Sequence, residues 1–136
     1  MQPESAAFLW DVRAAGVRIT SFADGLTAAS YAADELRKSA VERQLEIIGE
    51  ALNRLRKADP EVAQRIPDIS RIVGLRNILA HGYAVVDDDA VVWTAVSERM
   101  PALLTVVENL HDEIGCEPES VLISDPAATQ RLPASA

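Results

Sequence analysis

Cysteine occurs once in the 136 residues, at Cys116, so no disulfide can close within the chain and a reducing compartment suits it. Histidine occurs twice, at His81 and His111, and any histidine-based mechanism has to use one of these. Six glycines and seven prolines are too few for a low-complexity chain. No run of 18 or more apolar residues is present, which excludes a membrane span on that criterion. The opening MQPESAAFLW has no basic stretch leading into an apolar one, so no signal peptide is expected and the expected location is the cytoplasm. Neither G-x-x-x-x-G-K-[ST] nor G-x-G-x-x-G occurs, which leaves a nucleotide-hydrolysing site without support. No internal repeat is evident, and no segment alternates with period two for long enough to make a strand.

What is present is an average globular composition, 49% hydrophobic and 25% charged. A chain of this length is expected to form one domain that buries roughly two thirds of its unfolded surface. The formal net charge is −8, which argues against non-specific nucleic-acid binding by the molecule as a whole. The charge is unevenly distributed. Residues 37–76 hold nine of the 13 basic residues and six of the 21 acidic ones, a local balance of +3. Such a basic middle reads either as a local anion-binding surface or as a set of solvated helix faces.

Hydrophobic spacing organises the chain into helices. Phe8, Val12, Ala15, Ile19 and Phe22 share one face of a helix over roughly 4–24, stopped near Gly25 and followed by a turn around 26–30. Val41, Leu45, Ile48, Leu52 and Leu55 form a bundle-type seam on the longest helix, roughly 32–58. Gly49 lies beside that seam, where it can permit a close helix approach. Asp59-Pro60 stops this helix and offers a cap and first residue for a short helix over 60–66. Asp68 can cap a fourth helix with Ile69, Ile72 and Val73 on its buried face and Gly82 as its stop. Asp87, Asp88 and Asp89 suit the positive end of a fifth helix whose seam runs Val92, Val96, Met100, Leu103, Val107, Leu110 and Ile114, with Pro101 kinking it near Ser97 and Gly115 ending it. The expected architecture is an all-α, compact up-down bundle of four to five helices over residues 1–115, with an irregular tail over 116–136.

The stretch RIVGLRNILAHGY, residues 71–83, concentrates Arg76, Asn77, His81 and Tyr83. On an ideal helix Arg76 and His81 point about 140° apart and sit about 7.5 Å apart along the axis, so they meet only if the helix ends at His81 or a second copy of the chain lies opposite. Arginine offers a phosphate a planar fork of donors, and histidine exchanges a proton near neutral pH. Metal-free cleavage of RNA needs those functions: a base for the 2′-hydroxyl, an acid for the leaving 5′-oxygen and a cation for the phosphorane. Asn77 can orient the imidazole or hold a phosphate oxygen, and Tyr83 can bond the phosphate or stack on a base. The structural alternative gives Arg76 an acid on a neighbouring helix, His81 a helix C-terminus and Tyr83 a place in the core.

Other signals are weaker. Glu108 and His111 form one Glu-x-x-His, half of a di-iron pattern that needs a second pair. Glu46 and Glu50 share a helix face, to orient an arginine or hold a cation, or to be solvated beside Arg43 and Arg54. Cys116 could be a nucleophile only with an activating base; His111 is five residues away, and no third group is visible. Trp10 and Trp93 read as core or interface. No metal and no cofactor is expected.

The segment RNILAHGY, written Arg-x4-His-x-Tyr, resembles the signature of the HepT-like toxins of the HEPN superfamily. VERQLEIIGEALNRL, IPDISRIVGLRNILAHGY and VVDDDAVVWTAV are similar to the family's pattern as well, so the likeness covers roughly residues 8–114. The resemblance implies a HEPN-like helical bundle that forms homodimers, with two copies of the motif lining an interface cleft. It implies a metal-independent endoribonuclease, the toxin of a type VII-like toxin–antitoxin pair. Arg76 and His81 would be catalytic and Asn77 supporting. The implied partners are RNA as substrate and a minimal nucleotidyltransferase (MNT-type) antitoxin that transfers AMP to Tyr83. The alternative is a non-catalytic HEPN subunit that only binds such a nucleotidyltransferase.

Overall fold

The computed structural model describes residues 3–81 and 88–115. Expectations that fall on Gly82, Tyr83, Asp87, Cys116 and the tail lie outside the described residues, as do the side chains of Asn77 and His81. The described residues contain no strand. Their helices are α1 (Pro3–Ala23), α2 (Ala28–Ala33), α3 (Glu35–Ala58), α4 (Pro60–Ala63), α5 (Ile69–His81), α6 (Asp88–Thr94) and α7 (Met100–Gly115), with one turn of π-helix over Ala95–Arg99 joining the last two. The chain is the expected all-α bundle. α3 is its central element, packed on α1 and α5, and α1 is flanked in turn by α7.

The spacing patterns account for the core. Val41, Leu45, Ile48, Leu52 and Leu55 of α3 are all buried, and so are Val92, Val96, Met100, Leu103, Val107 and Leu110 of the last helical rod. Val12, Ala15 and Ile19 of α1 are buried, together with Leu9, which the spacing did not single out, and Phe8 and Phe22 are half-buried. By length and composition alone the rod Asp89–Ile114 is apolar enough to cross a membrane. Its seam residues Val92, Val96, Met100, Leu103, Val107 and Leu110 are buried in the bundle, while Val91 stays exposed.

Three expectations need correction. The turn at 26–30 and the start of the second helix give way to a separate short helix, α2. Thr27 and Ser30 form a reciprocal capping box that starts α2. Asp34 then takes an extended conformation and its carboxylate accepts the Arg37 N–H at 3.0 Å, starting α3 anew. Two strong caps within seven residues outcompete one continuous helix. The helix expected over 60–66 is a single turn, Pro60–Ala63. Where the bend is expected near Ser97, the helix makes a π-helical turn. Pro101 has no N–H to give Ser97, and the ladder absorbs the loss by shifting register, with the Met100 N–H donating to the Ala95 carbonyl.

Asp59 joins the ends of three helices. Its carboxylate accepts the Val62 N–H at 3.4 Å, capping α4, and the buried Ser5 hydroxyl of α1 donates to its other oxygen at 2.7 Å. Asp68 has a positive φ of 61°, a region aspartate tolerates. Its carbonyl accepts the first N–H groups of α5, from Arg71 and Ile72. Its carboxylate reaches Arg99 at 3.7 Å.

Tyr31 of α2 is fully buried against Trp93, with ring centroids 5.3 Å apart. Among the described residues its hydroxyl has no hydrogen-bond partner. Burial pushes the phenol well above its ordinary pKa, and the nearby carboxylates of Glu42 and Asp89 add to the effect. Tyr31→Phe is therefore expected to leave stability at pH 7 unchanged or to raise it by up to about 1 kcal/mol, because it removes a buried unsatisfied group. A folded-state pKa above the unfolded value means that this contribution is intact below about pH 10 and fades as pH rises beyond it. Wild type should accordingly lose stability faster than Tyr31→Phe above pH 10 in denaturant titrations. A loss of more than about 1 kcal/mol in the variant at neutral pH would show that the hydroxyl has a partner after all.

Candidate active site

The position of Arg76 is decided by a glycine on another helix. α5 crosses α3 so closely that a Cβ on Gly49 would overlap the Cβ of Arg76 and come within 2.6 Å of its Cγ. No real side chain fits there, so glycine is what allows the stem of Arg76 to lie across α3. A second close approach of this kind joins α1 to α7, where a Cβ on Gly16 would overlap the Leu104 side chain.

With its stem held over Gly49, the Arg76 guanidinium reaches the next residue of α3. Its Nη2 donates to Glu50 Oε1 at 3.0 Å. The other oxygen of the same carboxylate accepts from Arg54 Nε at 2.8 Å. The two arginines thus share one acid. The Arg76 side chain keeps about 30% of its surface exposed and Glu50 about 40%, so the pair is accessible from solvent. It lines an open cavity of about 300 Å³ between α1, α3 and α5, whose wall also includes Asp11, Arg43 and Glu46. Arg43 pairs with Glu46 at 3.5 Å. Three guanidiniums against three carboxylates make the cavity polar without a large net charge. An anion bound there would be recognised by the aim of individual donors rather than by a broad positive potential.

Of the sequence-derived site residues, Arg76 is brought to this cavity by α5. His81 belongs to the same helix, five residues on, at its last described position. Glu50 pairs with Arg54 on its own helix and also with an arginine from another. Its partner Arg76 is 26 residues away, beyond the reach of any local spacing rule. The structural alternative for Arg76, a neighbouring acid, is thus also realised in this geometry.

Two further cavities flank these helices. One of about 560 Å³ lies between α5 and α6, with Ile72, Leu75, Val91 and Ala95 in its wall and Arg71 and Arg99 at its edge. Another lies between α1 and α7, with Trp10, Arg13, Glu108 and His111. Trp10 is not a core residue in the described chain. It is half exposed, with the Arg13 guanidinium 5.5 Å over its ring and the His111 ring 5.8 Å away. Glu108 pairs with Arg13 at 3.4 Å. No three His, Cys, Asp or Glu side chains among the described residues are grouped to hold a metal ion.

Comparison with known proteins adds a relationship to this geometry. A family model described as "Ribonuclease HepT-like" matches residues 13–110. A protein of Methanocaldococcus jannaschii named "Putative RNase MJ1380" is 32% identical over 104 residues, which span 75% of this chain and 92% of that relative. No solved structure matches the chain.

Proposed function

Because the chain belongs to the HepT-like ribonuclease family, and is thereby an RNase of the HEPN type, we propose that Arg76 and His81 are its catalytic pair and that it cleaves RNA without a metal ion. The observation that carries this reading is the Arg76 guanidinium, held by Glu50 at the edge of an open polar cavity on the helix that also bears His81. Arg76 binds a non-bridging oxygen of the scissile phosphate and stabilises the charge that builds on the phosphorane. His81 moves the proton. A neutral imidazole accepts it from the 2′-hydroxyl, whose oxygen attacks phosphorus. The bond from phosphorus to the 5′-oxygen breaks, and that oxygen leaves with a proton supplied by an imidazolium. The products are a 2′,3′-cyclic phosphate and a 5′-hydroxyl. Asn77 supports the site beside Arg76.

Two subunits are proposed to bring two copies of the motif to one cleft, which answers the 140° divergence of Arg76 and His81 on a single ideal helix. The protein is proposed to act as the toxin of a pair whose antitoxin is an MNT-type nucleotidyltransferase. Transfer of AMP to Tyr83 would place a bulky phosphodiester with a negative charge beside the catalytic pair, and like-charge repulsion would keep RNA out.

The test is incubation of the purified protein with RNA in excess chelator, followed by analysis of the new ends. Cleavage with cyclic phosphate termini is expected. An intact RNA, or cleavage that appears only when a divalent cation is restored, would reject the assignment.

A further inference from the structure

We propose that Glu50 is the positioning residue of the active site: its carboxylate, shared between Arg54 and Arg76, holds the Arg76 guanidinium in the orientation that receives the scissile phosphate. This inference rests on the nuclease reading above and adds a residue to it.

The geometry argues for positioning rather than for chance pairing on a surface. An exposed arginine samples many rotamers, and fixing one costs side-chain entropy. Here the stem is fixed by the helix crossing at Gly49, and the tip is fixed by a charge-assisted hydrogen bond of 3.0 Å to the adjacent residue of α3. Glu50 is itself held from its other side by Arg54 at 2.8 Å. Each group in the chain Arg54–Glu50–Arg76 restrains the next.

Electrostatics also bear on the choice. A carboxylate beside a phosphate site repels the substrate, so Glu50 weakens RNA binding in the ground state. Arg54 offsets that charge, and the triad as a whole remains at +1. The arrangement favours aim over affinity. A guanidinium already oriented needs no reorganisation when charge develops on the phosphorane, which is where preorganised donors act most strongly.

Positioning and a merely structural role make different predictions. Glu50→Gln keeps the size of the side chain and one acceptor but removes the charge. Its kcat in chelated buffer should fall about 10- to 100-fold, as misplaced groups near the chemistry typically cost. Its KM for RNA should stay equal or fall, since one repelling charge is gone. The loss should disappear when the same substitution is made in an Arg76→Ala background, because Glu50 acts through Arg76. A kcat within twofold of wild type, or an undiminished further loss in the Arg76→Ala background, would overturn the proposal. A wild-type protein with no RNase activity would instead reject the parent reading. The positioning claim is then decided by NMR of the arginine side chains. A distinct, slowly exchanging Arg76 guanidinium in wild type that exchanges faster and shifts in Glu50→Gln supports it. A signal that Glu50→Gln leaves unchanged rejects it.

Discussion

His81→Ala should lower the rate of RNA cleavage by about three orders of magnitude when it is assayed in excess chelator. The imidazole is asked to supply proton transfer at both the attacking and the leaving oxygen, and a positioned general acid–base typically contributes 10²- to 10⁴-fold. The chain offers no substitute histidine, because the other one, His111, belongs to α7 and lies against Trp10 of α1. Arg76→Ala should cost about 10²- to 10³-fold, the usual effect of removing one donor aimed at developing negative charge. Arg76→Lys should recover only a small part of that loss. Lysine restores a positive point charge but lacks the planar fork that bonds Glu50 and a phosphate oxygen together. The comparison is valid on variants whose helicity matches wild type, and single-turnover rates with saturating enzyme separate chemistry from binding. Cleavage that survives His81→Ala removes this imidazole from the mechanism.

The largest effect on stability is expected at Gly49. Gly49→Leu should destabilise the bundle by about 3 kcal/mol or more, read as a fall in denaturant midpoint at unchanged slope. The atoms that obstruct a side chain there are the Cβ and Cγ of Arg76, which are fixed close to the α5 backbone and cannot swing away. α5 would have to retreat from α3, and the bond between Arg76 and Glu50 would break as it does. Gly49→Ala should be milder, since better helix propensity, worth about 1 kcal/mol, works against the overlap. Gly74 on α5 provides the contrast. A Cβ built there meets nothing within 4 Å, so Gly74→Ala should stabilise the chain by about 0.5–1 kcal/mol through propensity alone. Equal responses at the two glycines would show that the close approach at Gly49 does not bear on stability.

Much of the fold was legible from spacing. The five seam residues of α3 and six of the seven named on the last rod are buried as the 3–4 repeat predicts. Ile114, the seventh, lies partly buried near the rod's end. The fourth helix was read less completely. Val73 is buried as expected, Ile69 and Ile72 only partly, and Leu75, which the pattern did not single out, is buried as well. α5 packs chiefly on α3, and the close crossing at Gly49 decides which of its residues face inward. The break at Asp34 is not legible in the hydrophobic period, which says nothing about where a cap interrupts a helix. Of the two places expected for Trp10, the core is excluded: it stands half exposed beside Arg13 and His111.

The amino-acid sequence alone determined the helical class, the faces that turn inward and the residues able to handle a proton and a phosphate, because period and side-chain chemistry are local properties. Only the tertiary structure decided which acid holds Arg76 and which glycine lets it get there. That choice depends on where the helices bearing two residues 26 positions apart cross and on how near their backbones come. A crossing is set by the packing of whole surfaces, and no short window of residues contains it.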